Sequence, residues 1–472
     1  MPASSCETVN CKLMTRSTRL TLLLLFVTVA MARFCHTQIL WVEEAYPAAA
    51  AAQVLDGRFL YRDIWFDKPP LYALLYLLWG AGPGIGLRLA GTLFVALCCA
   101  LEFRFARKLW GEGEALLAAC LLGFYLTFGI PSAVMALAPD LLMIAPHIAA
   151  VYLAWRGRAF WSGVLAGIAL LVNSKAVFVL AACALWAYPA LPMLLLGFAV
   201  PQAIFAGVLF ANGALADYYA QVWTWGFLYS RDALVSAGTG LARTASWAGF
   251  HATVVIAAIC FFRREKRWLA WALISGVAVA AGWRFFPRYY FQLLPVFTLA
   301  AARGLVLMRP RWRVAVMSLL LIPFVRFGPR YVTLGNDLLH GRAHEWSDIA
   351  MNQDSRRAAE MVRAMAGPQD RLLVWGYRPD VFVYSQMPAA TRFLDSQPLT
   401  GVLADRHLRS ARPTAPEWAE RNRREIAGIR PAFIVDGLGP LNEALGVEKF
   451  LPMDGYEVIG RTPMSVVYRL RR

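Results

Sequence analysis

Long runs of apolar residues, separated by short polar or basic segments, dominate the first 330 residues of the chain. The first run covers 20–42, and later runs cover approximately 86–103, 113–131, 140–155, 159–174, 176–190, 191–211, 245–262, 268–283, 289–302 and 314–326. A helix needs about 20 residues to cross a bilayer, with about 17 as a lower bound. The pattern therefore predicts a polytopic α-helical membrane protein with about eleven spans.

The first apolar run has two interpretations. Lys12, Arg16 and Arg19 precede it, and Ala30-Met31-Ala32 resembles the cleavage site of a secretory signal peptide. The alternative is an uncleaved first membrane helix. We favour the helix because many further spans follow it.

The segment 71–80 is apolar but has only ten residues, which is too few to cross the bilayer. Gly80-Ala81-Gly82-Pro83-Gly84 ends it. The loop 43–70 is assigned to the outer face and the basic cluster at 104–108 to the cytoplasmic face, so an odd number of crossings has to separate them. The segment is therefore predicted to lie in, or dip into, the outer membrane interface.

From residue 331 onward the pattern changes to mixed polar and apolar positions. An amphipathic helix is predicted over 347–366, capped by Ser347 and stopped by Gly367-Pro368. Short buried strands are predicted over 371–375 and 432–435, and a hairpin over 456–470. The chain thus divides into a membrane domain at 1–330 and a small α/β domain at 331–472.

Composition supports a bilayer environment, because 59% of residues are hydrophobic and only 16% are charged. Soluble domains have roughly 45–50% apolar and about 25% charged residues. The net charge of +17 is concentrated in the apolar part: 28 basic minus 13 acidic residues give +15 for 1–330, and 19 minus 17 give +2 for the rest. Nucleic-acid binding is excluded, since basic residues would then crowd a polar face or tail.

Four basic clusters, at 104–108, 156–158, 263–267 and 303–313, set the orientation. The positive-inside rule places them in the cytoplasm, together with the N-terminus. The protein is then an integral inner-membrane protein whose C-terminal domain is extracytoplasmic. All eight cysteines precede residue 261, so that domain is exported without disulfides, and no Cys/His spacing is typical of a zinc site.

Ionisable residues collect in the loops assigned to the outer face, where charged groups at the membrane edge tend to mark function. Glu43 and Glu44 follow the first span directly and either supply a general base or simply meet water at its end. Asp67 and Lys68 precede Pro69-Pro70 and could form a local ion pair in a turn. Asp140 could cap a helix, and Lys175 could extend to the interface.

The order of these motifs resembles the GT-C class of membrane glycosyltransferases, and within it the dolichyl-phosphate-mannose protein mannosyltransferase and aminoarabinose transferase group, called family 39. The resemblance covers about 18–326. It rests on an ordered set of short motifs: Glu43-Glu44, Tyr61-Arg62-Asp63, Asp67-Lys68-Pro69-Pro70-Leu71, Arg88-Leu89, Arg107-Lys108-Leu109-Trp110-Gly111, Ala138-Pro139-Asp140-Leu141-Leu142, Asn173-Ser174-Lys175 and Pro287-Arg288-Tyr289-Tyr290.

The resemblance implies a role for each matching residue. The family's acidic pair is usually Asp-Glu with the aspartate as catalytic base, so Glu43 and Glu44 are the catalytic candidates, with Glu43 one methylene longer. The resemblance further implies that the donor phosphate is bound by Lys68, Lys175, Arg288 and Tyr289. It implies that the substrate is bound by Asp63, Asp67 and Asp140. Where a divalent metal is used, Asp67 is implied to hold it. Arg231, in the loop 217–243, is expected to contact the sugar from a lid.

An outer active site has no access to cytoplasmic nucleotide sugars. The expected donor is therefore a sugar on a polyprenyl phosphate, transferred with inversion to the hydroxyl of a glycan, lipid or protein acceptor. One competing class is a lipid transporter or flippase, which commonly shows paired broken helices in two related halves; the sequence shows no such halves. The other is a catalytically inactive relative that binds polyprenyl phosphate, which the substitution at Glu43 keeps open.

Overall fold

The computed structural model describes residues 14–342 and 346–471; Cys6, Cys11 and Lys12 lie outside these ranges. Helices make up most of the described chain up to residue 342. They are Arg16–Phe34 (α1), Val42–Leu55 (α2), Pro70–Leu74 (α3), Ile85–Leu109 (α4), Glu112–Tyr125 (α5), Pro131–Val134 (α6), Pro139–Leu142 (α7), Ile144–Trp155 (α8), Ala159–Val172 (α9), Val177–Ala187 (α10), Leu191–Ala211 (α11), Leu215–Tyr218 (α12), Trp225–Arg231 (α13), Ala237–Phe250 (α14), Ala252–Phe262 (α15), Lys266–Ala280 (α16), Leu294–Leu307 (α17), Pro310–Ser318 (α18) and Leu321–Leu339 (α19).

Four helical stretches in the described residues are long and apolar enough to cross a membrane: Arg16–Phe34, Ile85–Leu109, Ser174–Ala211 and Pro310–Leu339. A fifth is possible if the pair α14 and α15, bent by 92°, counts as one broken span. Shorter apolar helices include Pro139–Trp155, Ala159–Val172 and Leu294–Leu307. The count of about eleven spans remains a prediction.

Close glycine contacts fix how α9 and α11 pack. A Cβ at Gly163 would lie 2.0 Å from the Leu194 carbonyl oxygen, and one at Gly197 would lie 1.9 Å from that of Phe160. Such close backbone approach requires small residues. The backbones of α9 and α11 are therefore in direct contact around Gly163 and Gly197.

Glu102 and His147 are two of the ionisable side chains that are buried inside the helical part. The Glu102 carboxylate on α4 accepts a hydrogen bond from Thr298 on α17. The indole of Trp271 on α16 donates to Nε2 of His147 on α8 at 3.0 Å. Both contacts join neighbouring helices, while the second carboxylate oxygen of Glu102 and Nδ1 of His147 are buried without a hydrogen bond among the described residues.

After residue 346 the chain forms a small α/β unit. Its helices are Ala350–Met365 (α20), Asp380–Ser385 (α21), Gln397–Thr400 (α22) and Pro416–Ile426 (α23), and its strands are Leu372–Trp375 (β1), Phe433–Asp436 (β2), Tyr456–Arg461 (β3) and Val466–Leu470 (β4). The sheet order is β1-β2-β4-β3, with β1 parallel to β2 and the other pairs antiparallel.

The two predicted strands and the hairpin are present, within one residue of their expected starts. The predicted cap of the amphipathic helix is wrong, because α20 begins at Ala350 with Ile349 before it and Ser347 lies in a turn. The proposed domain boundary at residue 330 falls inside α19. The division into 1–330 and 331–472 therefore remains a prediction.

Candidate functional site

A cavity of about 630 Å³ lies where the first long loop, several helix ends and the C-terminal unit meet. Seven of the ten residues singled out from the sequence line it: Glu43, Asp67, Lys68, Asp140, Lys175, Arg288 and Tyr289. The C-terminal unit adds Tyr377, Gln397 and Asp405 to the lining. The cavity thus joins residues that are more than 350 positions apart in the chain.

Glu43 and Glu44 both lie in the first turn of α2, where the helix dipole favours acidic side chains. Successive helical residues point about 100° apart. As a result, Glu43 faces the cavity while Glu44 points into the helix bundle.

Glu44 forms a fully buried ion pair with Arg88 on α4, and neither side chain has exposed surface. Nη1 and Nη2 of Arg88 donate to the two carboxylate oxygens at 2.9 and 2.7 Å, and the backbone N–H of Leu137 donates at 3.1 Å. Arg88 also donates to the carbonyls of Met135 and Ile39. Glu44 therefore holds the loop before α7 against α4 and does not line the cavity.

Arg288 links two of the acidic groups in the cavity. Its Nη1 pairs with the Glu43 carboxylate, and its Nε lies 3.4 Å from Oδ2 of Asp140. Asp140 also accepts a hydrogen bond from the Asn173 side chain at 3.0 Å. The guanidinium holds Glu43 beside Asp140 in one charged cluster.

Lys175 supplies a positive charge that the described residues leave without a hydrogen bond. Its ammonium is buried and lies 3.1 Å from the ring centroid of Tyr289, a cation–π contact. An ammonium has three donors to satisfy. An anionic oxygen in the cavity is the chemical group that this arrangement accommodates.

Asp67 and Lys68 form the predicted local ion pair, with Nζ 2.7 Å from Oδ2. The other carboxylate oxygen of Asp67 is buried with no hydrogen-bond partner among the described residues. No group of three or more His, Cys, Asp or Glu residues in those ranges is arranged to hold a metal ion. The role of Asp67 as a metal ligand remains a prediction.

Asp395 of the C-terminal unit also faces this acidic region. It is 2% exposed and accepts a hydrogen bond from the backbone N–H of Gln397 at 2.8 Å. Burial, and after it the charge of Asp67, raise the pKa of Asp395 to about 7.

Arg284 ties the cavity wall to the C-terminal unit. It pairs with Asp405 at 2.8 Å and donates to the carbonyls of Gly282, Tyr229 and Asp232. Because these acceptors use its guanidinium, Arg284 is a structural crosslink between the cavity wall and the C-terminal unit.

Two residues singled out from the sequence lie away from the cavity lining, in addition to Glu44. Asp63 pairs with Arg62 at 2.8 Å and accepts from the backbone N–H of Phe59, and the hydrogen bond from Arg62 lowers the pKa of Asp63. Arg231 is exposed and stacks over Phe227 at 4.1 Å. The neighbouring Tyr229 does line the cavity.

The residues that sequence reasoning did not select come mainly from the C-terminal unit. Tyr377 follows strand β1 in a loop. Gln397 begins the short helix α22 and Asp405 lies in a turn that follows it, and neither belongs to a recognisable motif. Only the folded chain brings them to the cavity.

No family model matches the sequence, and no curated protein matches it. Solved structures do match the fold. ArnT from Cupriavidus metallidurans, solved bound to undecaprenyl phosphate, has a TM-score of 0.61 and 16% identity over 94% of this chain and 97% of its own.

The archaeal oligosaccharyltransferase AglB from Archaeoglobus fulgidus, in complex with an inhibitory peptide and a dolichol-phosphate, has a TM-score of 0.51 and 11% identity over 90% of this chain and 70% of its own. This chain has the GT-C fold. The resemblance that the motifs indicated is thereby confirmed at the level of the fold. At these identities the likeness carries no residue roles, so the chemistry rests on the cavity itself.

Proposed function

We propose that this protein is an inverting glycosyltransferase that moves a sugar from a polyprenyl phosphate to an acceptor hydroxyl at the outer membrane face. The observation that carries the proposal is the cavity in which the Glu43 carboxylate lies beside Arg288, with the unbonded Lys175 ammonium on the same lining. A proton acceptor and phosphate-binding cations in one cavity are what this transfer requires.

Glu43 is the proposed general base. As the acceptor oxygen attacks the anomeric carbon, its proton passes to Glu43 and the bond from that carbon to the phosphate oxygen breaks. A carboxylate is too weak a base to ionise an alcohol beforehand, so proton transfer accompanies bond formation. Attack opposite the leaving group inverts the configuration.

Lys175, Lys68 and Arg288 are proposed to stabilise the leaving phosphate as its negative charge grows. Such electrostatic stabilisation is usually the largest single contribution to catalysis. The polyprenyl phosphates bound by the two structural neighbours are the type of leaving group that the proposal needs. The sugar enters this chain's cavity attached to that phosphate.

The test uses purified full-length protein with a panel of undecaprenyl-phosphate hexoses and pentoses and an envelope extract as acceptor. Transfer is followed by radiolabel, product configuration by NMR, and binding of undecaprenyl phosphate by native mass spectrometry. Glu43→Gln should lower the transfer rate by about 10²–10⁴ while lipid phosphate still binds. Lys175→Met should weaken that binding.

Glu114→Gln is the matched control, because it removes an acid from a pair with Arg303 whose residues do not line the cavity. Full activity of Glu43→Gln would rule out the proposed base. Binding of undecaprenyl phosphate by the wild type without transfer from any sugar in the panel would identify an inactive lipid-binding relative instead.

A further inference from the structure

A second cavity, of about 460 Å³, lies at the end of the helix bundle that carries the basic clusters. Its walls come from the ends of α4, α8 and α10 and from the turn between α15 and α16. The residues that define it chemically are Trp110, Trp155, Trp186, Trp268, Glu265 and Arg267. None of them lines the first cavity, which contains Glu43.

The tryptophan rings pack into a continuous aromatic wall. The ring centroids of Trp110 and Trp268 are 5.6 Å apart, and those of Trp186 and Trp268 are 5.9 Å apart. Phe261 closes one side, 5.4 Å from Trp110. Trp268 is buried, whereas Trp110, Trp155 and Trp186 keep part of their surface open.

Two opposite charges border this aromatic wall. Glu265 and Arg267 both precede Trp268 closely in the sequence and line the same cavity, and both side chains are exposed. Within residues 14–342 and 346–471, neither forms an ion pair. Glu265 is the single acid between the basic pairs Arg263-Arg264 and Lys266-Arg267, so a carboxylate stands here in an otherwise cationic turn.

We propose that this cavity binds the phosphoethanolamine head group of a membrane phospholipid. The ammonium lies against the open surface of the tryptophan rings, which attract cations, and donates hydrogen bonds to the Glu265 carboxylate. Arg267 pairs with the phosphate one ethylene unit away. The two charges of the head group thus meet the two charges at the cavity.

The neighbouring surface suits the rest of such a lipid. On α16, directly after Trp268, Leu269 is 39% and Leu273 is 62% exposed, which provides an apolar path for acyl chains. Phosphatidylglycerol would leave Glu265 without a cation. Phosphatidylcholine would keep the cation–π contact and lose the hydrogen bonds to Glu265.

The test is native mass spectrometry of the purified full chain released from nanodiscs that contain equal amounts of phosphatidylethanolamine, phosphatidylglycerol and phosphatidylcholine. Retained phosphatidylethanolamine should exceed retained phosphatidylglycerol. Glu265→Gln should reduce that preference about three- to tenfold, the loss expected for a contact of about 1 kcal/mol. Trp110→Leu should act in the same direction.

Lys266→Gln is the matched control, since it changes a charge in the same turn at a residue that does not line the cavity. A belt of interfacial tryptophans alone gives no preference among head groups. Equal retention of the three lipids by the wild type, or identical lipid profiles for Glu265→Gln and Lys266→Gln, would overturn the proposal. Glu265 is exposed, so its substitution leaves the fold intact for this comparison.

Discussion

Glu44 and Arg88 form a bidentate ion pair with no exposed side-chain surface. The preceding residue, Glu43, directs its carboxylate into the cavity. The adjacent residues Glu43 and Glu44 therefore have different surroundings. Glu43 can meet a substrate, whereas Glu44 is fully engaged by the protein.

Glu44→Gln is expected to lower stability rather than change chemistry directly. It leaves the buried Arg88 guanidinium without a counter-charge, a change that typically costs about 3–5 kcal/mol. Thermal unfolding in detergent should show a large decrease, whereas Glu420→Gln, in an exposed pair with Arg424, should show none. A double variant, Glu44→Leu with Arg88→Met, should recover part of the loss; unchanged stability of Glu44→Gln would contradict this role.

Arg288→Lys is expected to lower the turnover number by about 10²–10³. A lysine has a single charged nitrogen and cannot reach Glu43 and Asp140 with the geometry of a guanidinium. Steady-state kinetics with the active lipid-linked sugar, alongside binding of undecaprenyl phosphate, measure the effect. Wild-type turnover in this variant would remove Arg288 from the proposed mechanism.

Asp405→Asn is expected to loosen the C-terminal unit from the helical part. Arg284 and Asp405 are 1% and 4% exposed, so the substitution leaves a buried guanidinium with carbonyl partners only. Limited proteolysis should become faster between residues 331 and 349, and the unfolding temperature should fall. Glu457→Gln, in an exposed pair with Arg471, serves as the control and should behave like the wild type.

Asp395 is expected to make stability depend on pH in the acid-to-neutral range. Its pKa is about 7 in the folded protein against 3.8 for an ordinary aspartate, so the folded state binds more protons between these values. The contribution of Asp395 to the free energy of unfolding therefore falls as pH rises from about 4 to about 7, and it is most favourable where Asp395 is protonated.

Asp395→Asn removes this titration. The variant should be more stable than the wild type at pH 8, by on the order of 3 kcal/mol, and the difference should shrink as pH falls to 4. The introduced amide keeps an oxygen acceptor for the Gln397 N–H, so the local turn is preserved. Thermal unfolding of the wild type and of Asp395→Asn measures stability as a function of pH. If the two stability profiles were parallel, the Asp395 carboxyl would not have a raised pKa in the folded protein.

Much of the architecture followed from local patterns. Apolar runs predict helices because each backbone polar group in a bilayer needs an internal partner. Each of the four helices long enough to span overlaps a predicted run, and Ser174–Ala211 joins two runs that were predicted as separate spans. The strands over 372–375 and 433–436 were recognisable as short apolar segments between turn residues. Ser347 was not the helix cap because capping depends on backbone geometry that composition does not encode.

By itself, the sequence determined the membrane-type helices, the small sheet and a set of charged motifs whose order indicated the GT-C fold. Tertiary structure alone decided which of Glu43 and Glu44 faces the cavity, since adjacent residues on a helix point in different directions. Tertiary structure also decided that Arg284 forms an ion pair with Asp405, and that Tyr377 and Gln397 line the same cavity as Glu43. These outcomes depend on contacts between residues far apart in the chain, which a local pattern does not specify.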